Sequence, residues 1–348
     1  MDETAVCFGA VSVELCRHNP VQVASGRGFY DDVMANLQTA VLLIAMGAAS
    51  LGGCGGSAPA GRAPHSPPVA SRSVAVAPQY DTTHVYVPPD DVDRFVQSFL
   101  GTFGGQSTKQ VVATVTPTPS STTSQLLQTP VGTVSLFGFR TPIPYPFGAE
   151  RTGKLVTDLD AALVSAKSAG ADVLVSPFND PIGRDVVIQW PGGVNMQLYW
   201  HSTPPQYNAF QTVPEERVYL SPDSADAFLR SLSTFSGGTI VTDDARAPGI
   251  EIGRPDATYR RVRFQSAFGK TTVLVTDGHL PFPYGRDTTG YEVASLTDTL
   301  AKARSSGVEV VVQPYASDAR EAAMVVFPGG YIAEIHAASS AAPQAVNR

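Results

Sequence analysis

The side chains able to do chemistry are few and unevenly placed in this chain of 348 residues. All three cysteines, Cys7, Cys16 and Cys54, lie in its first sixth, so everything beyond Cys54 lacks a thiol for nucleophilic attack, thiolate coordination or a disulfide. Such a body tolerates an oxidising compartment. Imidazole side chains at His201, His279 and His336 can ligate a divalent metal only if the fold gathers them. Arg260, Arg261 and Arg263 make a basic cluster on one predicted strand, which reads as a solvated edge face. Two Pro-aromatic stretches, PIPYPFG from Pro142 and HLPFPYG from His279, set Tyr145, Phe147, Phe282 and Tyr284 in proline-fixed loops, where rings are expected to pack beneath the turn. There is no Gly-rich phosphate loop and no G-x-S-x-G elbow. With 24 Lys and Arg against 31 Asp and Glu, a formal charge of -7, the chain lacks the basic footprint that nucleic-acid binding requires.

The chemistry of Cys54 depends on what precedes it. Residues 40–51, AVLLIAMGAASL, are apolar or small, and twelve residues are too few to span a bilayer, which takes about twenty. They have the size of a signal-peptide core. The run Leu51-Gly52-Gly53-Cys54 resembles the bacterial lipobox, in which the Cys thiol is diacylated and the chain is cut just before it. Residues 1–53 are therefore expected to be an N-terminal extension plus lipoprotein signal peptide, with Cys54 the lipidation site. No Lys or Arg lies between Arg27 and the apolar run, whereas Asp31 and Asp32 do, so Met34 is a cleaner start than Met1. The Gly, Pro, Ser and Ala tract after Cys54 predicts a disordered tether over 54–80. The expected address is the cell envelope, with the body held in the extracytoplasmic or periplasmic space and the membrane engaged through the lipid.

Over the whole chain, 43% hydrophobic and 16% charged residues are enough for a packed core, and the body beyond the tether repeats itself. Laying Thr152-Gly153 on Thr289-Gly290, an offset of 137, superposes identical residues at Pro144, Pro146, Gly148, Val156, Leu159, Leu163, Gly170, Val173, Pro177, Pro191, Gly192 and Gly193. Upstream the offset is 133, VYVPPDDVDRFVQSFLGTFGG facing VYLSPDSADAFLRSLSTFSGG. Each copy predicts two strand-helix-strand units. In the first, a strand over 84–87 leads to a helix over 90–100 with Val92, Phe95, Val96 and Phe99 on one face, then strands over 110–115 and 131–139. A second helix over 158–168 carries Asp158 and Asp160 at its positive end and Gly170 beyond its last turn, with strands over 154–156, 173–175, 186–190 and 196–199. The Gly192 and Gly329 doublets read as hairpin turns. The predicted organisation is a first domain over 81–203, a linker over 204–216, a second domain over 217–338 and a disordered tail over 339–348.

Three landmarks, V-x-D-L-D-A-A, A-G-A-x-V and a P-G-G-x-x-x-[QE]-[LI] ending, give residues 82–338 a resemblance to the vicinal oxygen chelate superfamily of glyoxalases, bleomycin-resistance proteins and extradiol dioxygenases. The resemblance implies an α+β fold, with tandem domains of paired βαβββ modules forming open, incomplete barrels and a ligand inside the concave face. It also implies a divalent metal held by His and Glu on facing strands. In the first copy the implied slots fall on His84, an apolar residue near Leu136 or Phe137, Arg151 and Gln197. In the second they fall on Arg217, an apolar residue near Val273 or Leu274, Thr288 and Glu334. One ligand per copy is too few to hold a metal tightly, so the cofactor stays open between a divalent metal and, as the preferred expectation, none at the inherited position. If the copies pair crosswise, His84 and Glu334 share one cavity, a weak metal or acid-base site, and Arg151, Gln197 and Arg217 share another, suited to a carboxylate or phosphate ligand. The leading expectation is small-molecule binding in the manner of the bleomycin-resistance branch. The alternatives are a metal-dependent lyase or dioxygenase of the glyoxalase type and a structural or interaction protein of the envelope. A homodimer is compatible with each.

Overall fold

The computed structural model describes residues 73–339. The expected signal peptide, Cys54, most of the tether and the tail beyond Ser339 lie outside the described residues, which belong to one compact unit. Seventeen strands and four α-helices follow one another in two matching series. The first series is β1 (Thr82–Tyr86), α1 (Val92–Phe103), β2 (Gln106–Ser107), β3 (Val111–Ala113), β4 (Thr122–Thr129), β5 (Gly132–Phe139), β6 (Thr152–Leu155), α2 (Leu159–Ser168), β7 (Asp172–Asn179), β8 (Gly183–Trp190) and β9 (Val194–His201). The second is β10 (Glu215–Leu220), α3 (Pro222–Ser236), β11 (Thr239–Pro248), β12 (Thr258–Ser266), β13 (Gly269–Val275), β14 (Thr288–Glu292), α4 (Leu296–Ser305), β15 (Glu309–Ser317), β16 (Arg320–Phe327) and β17 (Tyr331–Ala338).

Each series makes its own mixed sheet. The strand orders are β2-β4-β5-β1-β6-β9-β8-β7, with β3 also on β4, and β11-β12-β13-β10-β14-β17-β16-β15. In both, the first strand of the copy runs parallel to the strand closing its own first half and antiparallel to the strand opening its own second half. The result is the α+β architecture of curled, open sheets.

The local chemistry explains the helices. Asp158 caps α2 by accepting the Ala161 amide at 2.9 Å, and Ser295 caps α4 in the same way at 3.2 Å. The α1 face predicted from its spacing is buried: Val92, Phe95 and Phe99 are in the core, and Phe95 stacks on Phe99. Burying each ring contributes about 1.5–3 kcal/mol. Between β8 and β9, and again between β16 and β17, two successive glycines take φ near +85 to +90°, a conformation that other residues adopt only with strain.

The helices sit between the two sheets. One core joins α2, β8 and β9 to α3, β12 and β13, and the other joins α1, β4 and β5 to α4, β16 and β17. Where no helix intervenes the sheets touch directly. The Thr83 and Thr289 hydroxyls lie 3.4 Å apart, and Thr152 donates to Glu216 at 3.1 Å. A buried cluster of Asp81, Lys154 and Glu216 fills the same seam, with Lys154 3.8 Å from Asp81 and 3.7 Å from Glu216. Because the helix-bearing faces meet, the two remaining faces open away from each other.

Three details differ from expectation. Residues 74–80, expected within the tether, are ordered: Ala75 bridges Val156 and Val76 donates to the Leu155 carbonyl of the first sheet, and Pro78–Tyr80 form a 3-10 turn. Val74 and Ala75 are apolar and pack against the core, which orders them. Glu215 and Glu216, expected in the linker, open β10. The strand β4 was absent from the predicted set because its sequence, TTSQLLQT, is mostly polar and alternates weakly.

Candidate functional site

The open face of the first sheet carries His84 and Tyr86 from β1. His84 is buried, and its Nδ1 lies 3.4 Å from Oε1 of Glu150, a fully buried residue just before β6. Tyr86 donates its hydroxyl to the same Glu150 oxygen, while Glu150 Oε2 has no hydrogen-bond partner. Burial first, and the Glu150 carboxylate second, raise the Tyr86 phenol well above its ordinary value. The ring of His84 needs the absence of a side chain at Gly153, where a Cβ would lie 2.5 Å from Nε2. Across that gap, register places Gln197 beside Gly153, and Gln197 hydrogen-bonds Asp185 of β8. Burial, then Asp180, push the Asp185 carboxyl well up. The walls are aromatic: Phe137 packs edge-on to His84 and against Tyr86.

The open face of the second sheet is filled with charge. Arg217 on β10, almost fully buried, holds Glu334 on β17 at 3.0 Å and Glu215 at 3.0 Å. Arg320 on β16 reaches the same two carboxylates at 3.4 Å, and His336 Nδ1 lies 3.2 Å from Glu334. Deeper in, Arg261 on β12 binds Glu251 and reaches across the opening to Asp318, closing the curl of the sheet, and Tyr259 and Ser317 also donate to Glu251. Burial alone would raise these carboxyls, but the guanidiniums outweigh it. Arg320 and Arg217 hold Glu215 down to about 2, and Arg217, Arg320 and His336 hold Glu334 well below the carboxylate range.

A cavity of about 380 Å³ opens beside this network, with Arg263, Thr272, Arg320, His336, Lys270 and Glu215 in its wall.

The crosswise cavities expected from the sequence are not formed. His84 faces Glu150 and Glu334 faces Arg217, with no hydrogen bond or ion pair between His84 and Glu334. The reason is topological: each copy's first and second halves share one sheet through β1–β6 or β10–β14, so slots of the same copy face each other, and the two open faces point apart. Arg151 and Gln197 accordingly belong to the first sheet and do not join Arg217. Arg151 is half-buried and accepts the His84 amide through its carbonyl, and its charge offsets a small part of the burial that raises the Asp287 carboxyl to about 6. His201, His279 and His336 are not gathered. The reading of Arg260, Arg261 and Arg263 as a solvated edge also fails for two of the three. Arg260 faces outward to Asp243 and Asp226, whereas Arg261 is 2% exposed and Arg263 half-buried, because β12 is covered on both faces. In the Pro-aromatic loops Phe147 and Tyr284 are buried, but their neighbours Tyr145 and Phe282 project outward, 72% and 67% exposed.

The donor sets do not fit the divalent metal that the resemblance implies. In the second sheet a guanidinium stands between the would-be ligand positions and consumes Glu334. In the first, His84 and Glu150 are two donors with no third: among the described residues no three His, Cys, Asp or Glu side chains converge. The residues that sequence reasoning missed are Glu150, one position from the Arg151 slot, and Glu215, Glu251 and Arg320 of the ring that Arg261, read as solvated, in fact joins. Arg261 and Arg263 alternate with Val262 and Phe264, and that alternation was the available signal for a strand with its charges turned inward.

No family model matches the sequence, and no curated protein matches it. Solved structures do. A triple mutant of 4-hydroxymandelate synthase from Streptomyces coelicolor is 12% identical, with 78% of this chain and 94% of that chain covered at a TM-score of 0.52. A Mn(II)-bound glyoxalase from Novosphingobium aromaticivorans is 12% identical over 76% and 83% at 0.47, and a 2,3-dioxygenase from Pseudomonas sp. KL28 is 11% identical over 77% and 93% at 0.48. The chain has the vicinal oxygen chelate fold.

Proposed function

We propose that this protein binds a small molecule in the open barrel of its second copy and does so without a metal at the inherited position. One observation carries the reading: the Arg217–Glu334 ion pair, buried and 3.0 Å long, fills the slots from which the resemblance would hang a metal, while a 380 Å³ cavity remains open beside it. A pocket with a few polar groups fixed by such a network suits ligand sequestration. The body is proposed to be held at the cell envelope through a lipid on Cys54. The direct test is a thermal-shift screen of small molecules on the full-length protein before and after dialysis against EDTA. Ligand-induced stabilisation that survives chelation supports the reading, and stabilisation abolished by chelation contradicts it.

A second reading, an enzyme, is favoured by the first sheet. There a buried His84 and Glu150, bridged to Tyr86, make a set able to hold and move a proton, and one of the similar solved structures, with a TM-score of 0.52, is named as a synthase. On this reading Glu150→Gln abolishes turnover of a substrate found by screening and leaves the fold intact. Unchanged turnover would remove it.

A further inference from the structure

The cavity of the second barrel carries more positive donors than its own carboxylates use. Among the described residues Glu215 is taken by Arg217 and Arg320, Asp318 by Arg261, and Glu292 by Lys270 at 2.9 Å. Arg263 stands in the same wall without an ion pair or hydrogen bond among the described residues; Glu215 and Glu251 attract it only at a distance, each already bonded to another arginine. It is half-buried, and its nearest like charges are Arg261 and Arg320, so a guanidinium that does not deprotonate is held against two others. Arg320 leaves its Nε without a hydrogen-bond partner, on a side chain 11% exposed. Register puts Arg263 and Arg217 on either side of Thr272, so the row faces one way across three strands.

A buried donor such as Arg320 Nε is costly while unpaired, and the half-buried Arg263 stands beside it as an uncompensated guanidinium. We infer that this cavity receives a compact oxyanion, the carboxylate or phosphate of a small molecule, held by Arg263 and Arg320. The inference rests on the reading of the second barrel as the ligand site and names the ligand class. A volume of 380 Å³ is near the small end of ligand pockets, about 300–1,000 Å³, which favours a single-ring or short-chain acid over a nucleotide. Guanidiniums suit such anions because the fork of N–H groups matches two oxygens at once.

The test is calorimetric titration of the full-length protein with benzoate, phenyl phosphate and the neutral benzyl alcohol, on wild type, Arg263→Gln and Arg263→Lys. Arg263 joins no ion pair, so neither change dismantles the buried network. The expected result is binding of one or both anions, with no binding of the alcohol, an affinity lowered at least tenfold in Arg263→Gln and an intermediate loss in Arg263→Lys. The stronger of the two anions identifies the group. Equal anion affinity in Arg263→Gln, or no anion binding by wild type, overturns the inference. Benzyl alcohol binding as tightly as benzoate overturns it too, while leaving small-molecule binding without metal in place.

Discussion

Arg217 and Glu334 occupy equivalent strands to His84 and Gln197, yet the two copies have diverged to opposite chemistries: four inward arginines in one barrel, and buried carboxyls around a histidine in the other. A buried ion pair is not itself strong evidence of stability, but breaking one leaves an uncompensated charge. Glu334→Gln is therefore expected to cost about 3–5 kcal/mol by chemical denaturation, whereas Arg217→Met with Glu334→Leu is expected to recover most of it. The acid limb follows from the same residues. Because the folded-state pKa of Glu215 is depressed from 4.5 to about 2 and that of Glu334 lower still, their contribution is present above the unfolded value and lost as pH falls through the folded one. Denaturation between pH 2 and 6 is expected to show stability falling below about 4.5, with a shallower fall in Glu215→Gln; an unchanged slope in that variant would contradict the assignment. The candidate site was only partly legible at this scale. The slots His84, Arg217, Gln197 and Glu334 were visible from the repeat, but which of them meet depends on strand pairing, and an isolated Glu150 carries no spacing signal at all.

The elements were more legible than the contacts, because the period of the apolar residues is a local property. Phe95 and Phe99 announce α1, Asp158 and Gly170 bound α2, and the glycine doublets mark both hairpins. The strand β4 escaped because Ser, Thr and Gln give no alternation, although β5 pairs with it along its length and Leu127 packs in one core with α1. The order of residues 74–80 escaped because a short Val-Ala stretch within Pro and Ser looks like linker until a sheet offers it an edge. Phe99 contacts Phe95, Phe103, Phe327 and Tyr291, joining a helix of the first copy to the sheet of the second. Phe99→Ala is expected to destabilise the protein by about 3–5 kcal/mol, well above the ~1 kcal/mol expected for removing the Asp158 cap, in the same denaturation experiment.

At the scale of the molecule, the two sheets are locked by two mixed cores and by a polar seam whose least satisfied member is Asp81. Burial pushes its carboxyl up to about 8, against the partial opposition of Lys154, and its Oδ2 has no hydrogen-bond partner. A raised folded-state pKa means that the stability is present below the unfolded value of 3.8 and lost as pH rises through about 8. Asp81→Asn, which keeps an acceptor for the Leu155 amide, is expected to flatten the decline in stability between pH 4 and 9; an unaltered decline would place its cause elsewhere. The arrangement of the sheets also sets where a ligand can sit, since helix-bearing faces packed together leave two separate open faces instead of shared cavities. The central claim is that the fold is kept while the inherited metal position is not. It is tested most directly by elemental analysis of the full-length protein, alongside His84→Ala and Glu334→Ala. The account predicts no stoichiometric divalent metal in any of the three. One metal ion per chain in the wild type, lost in either variant, would contradict it.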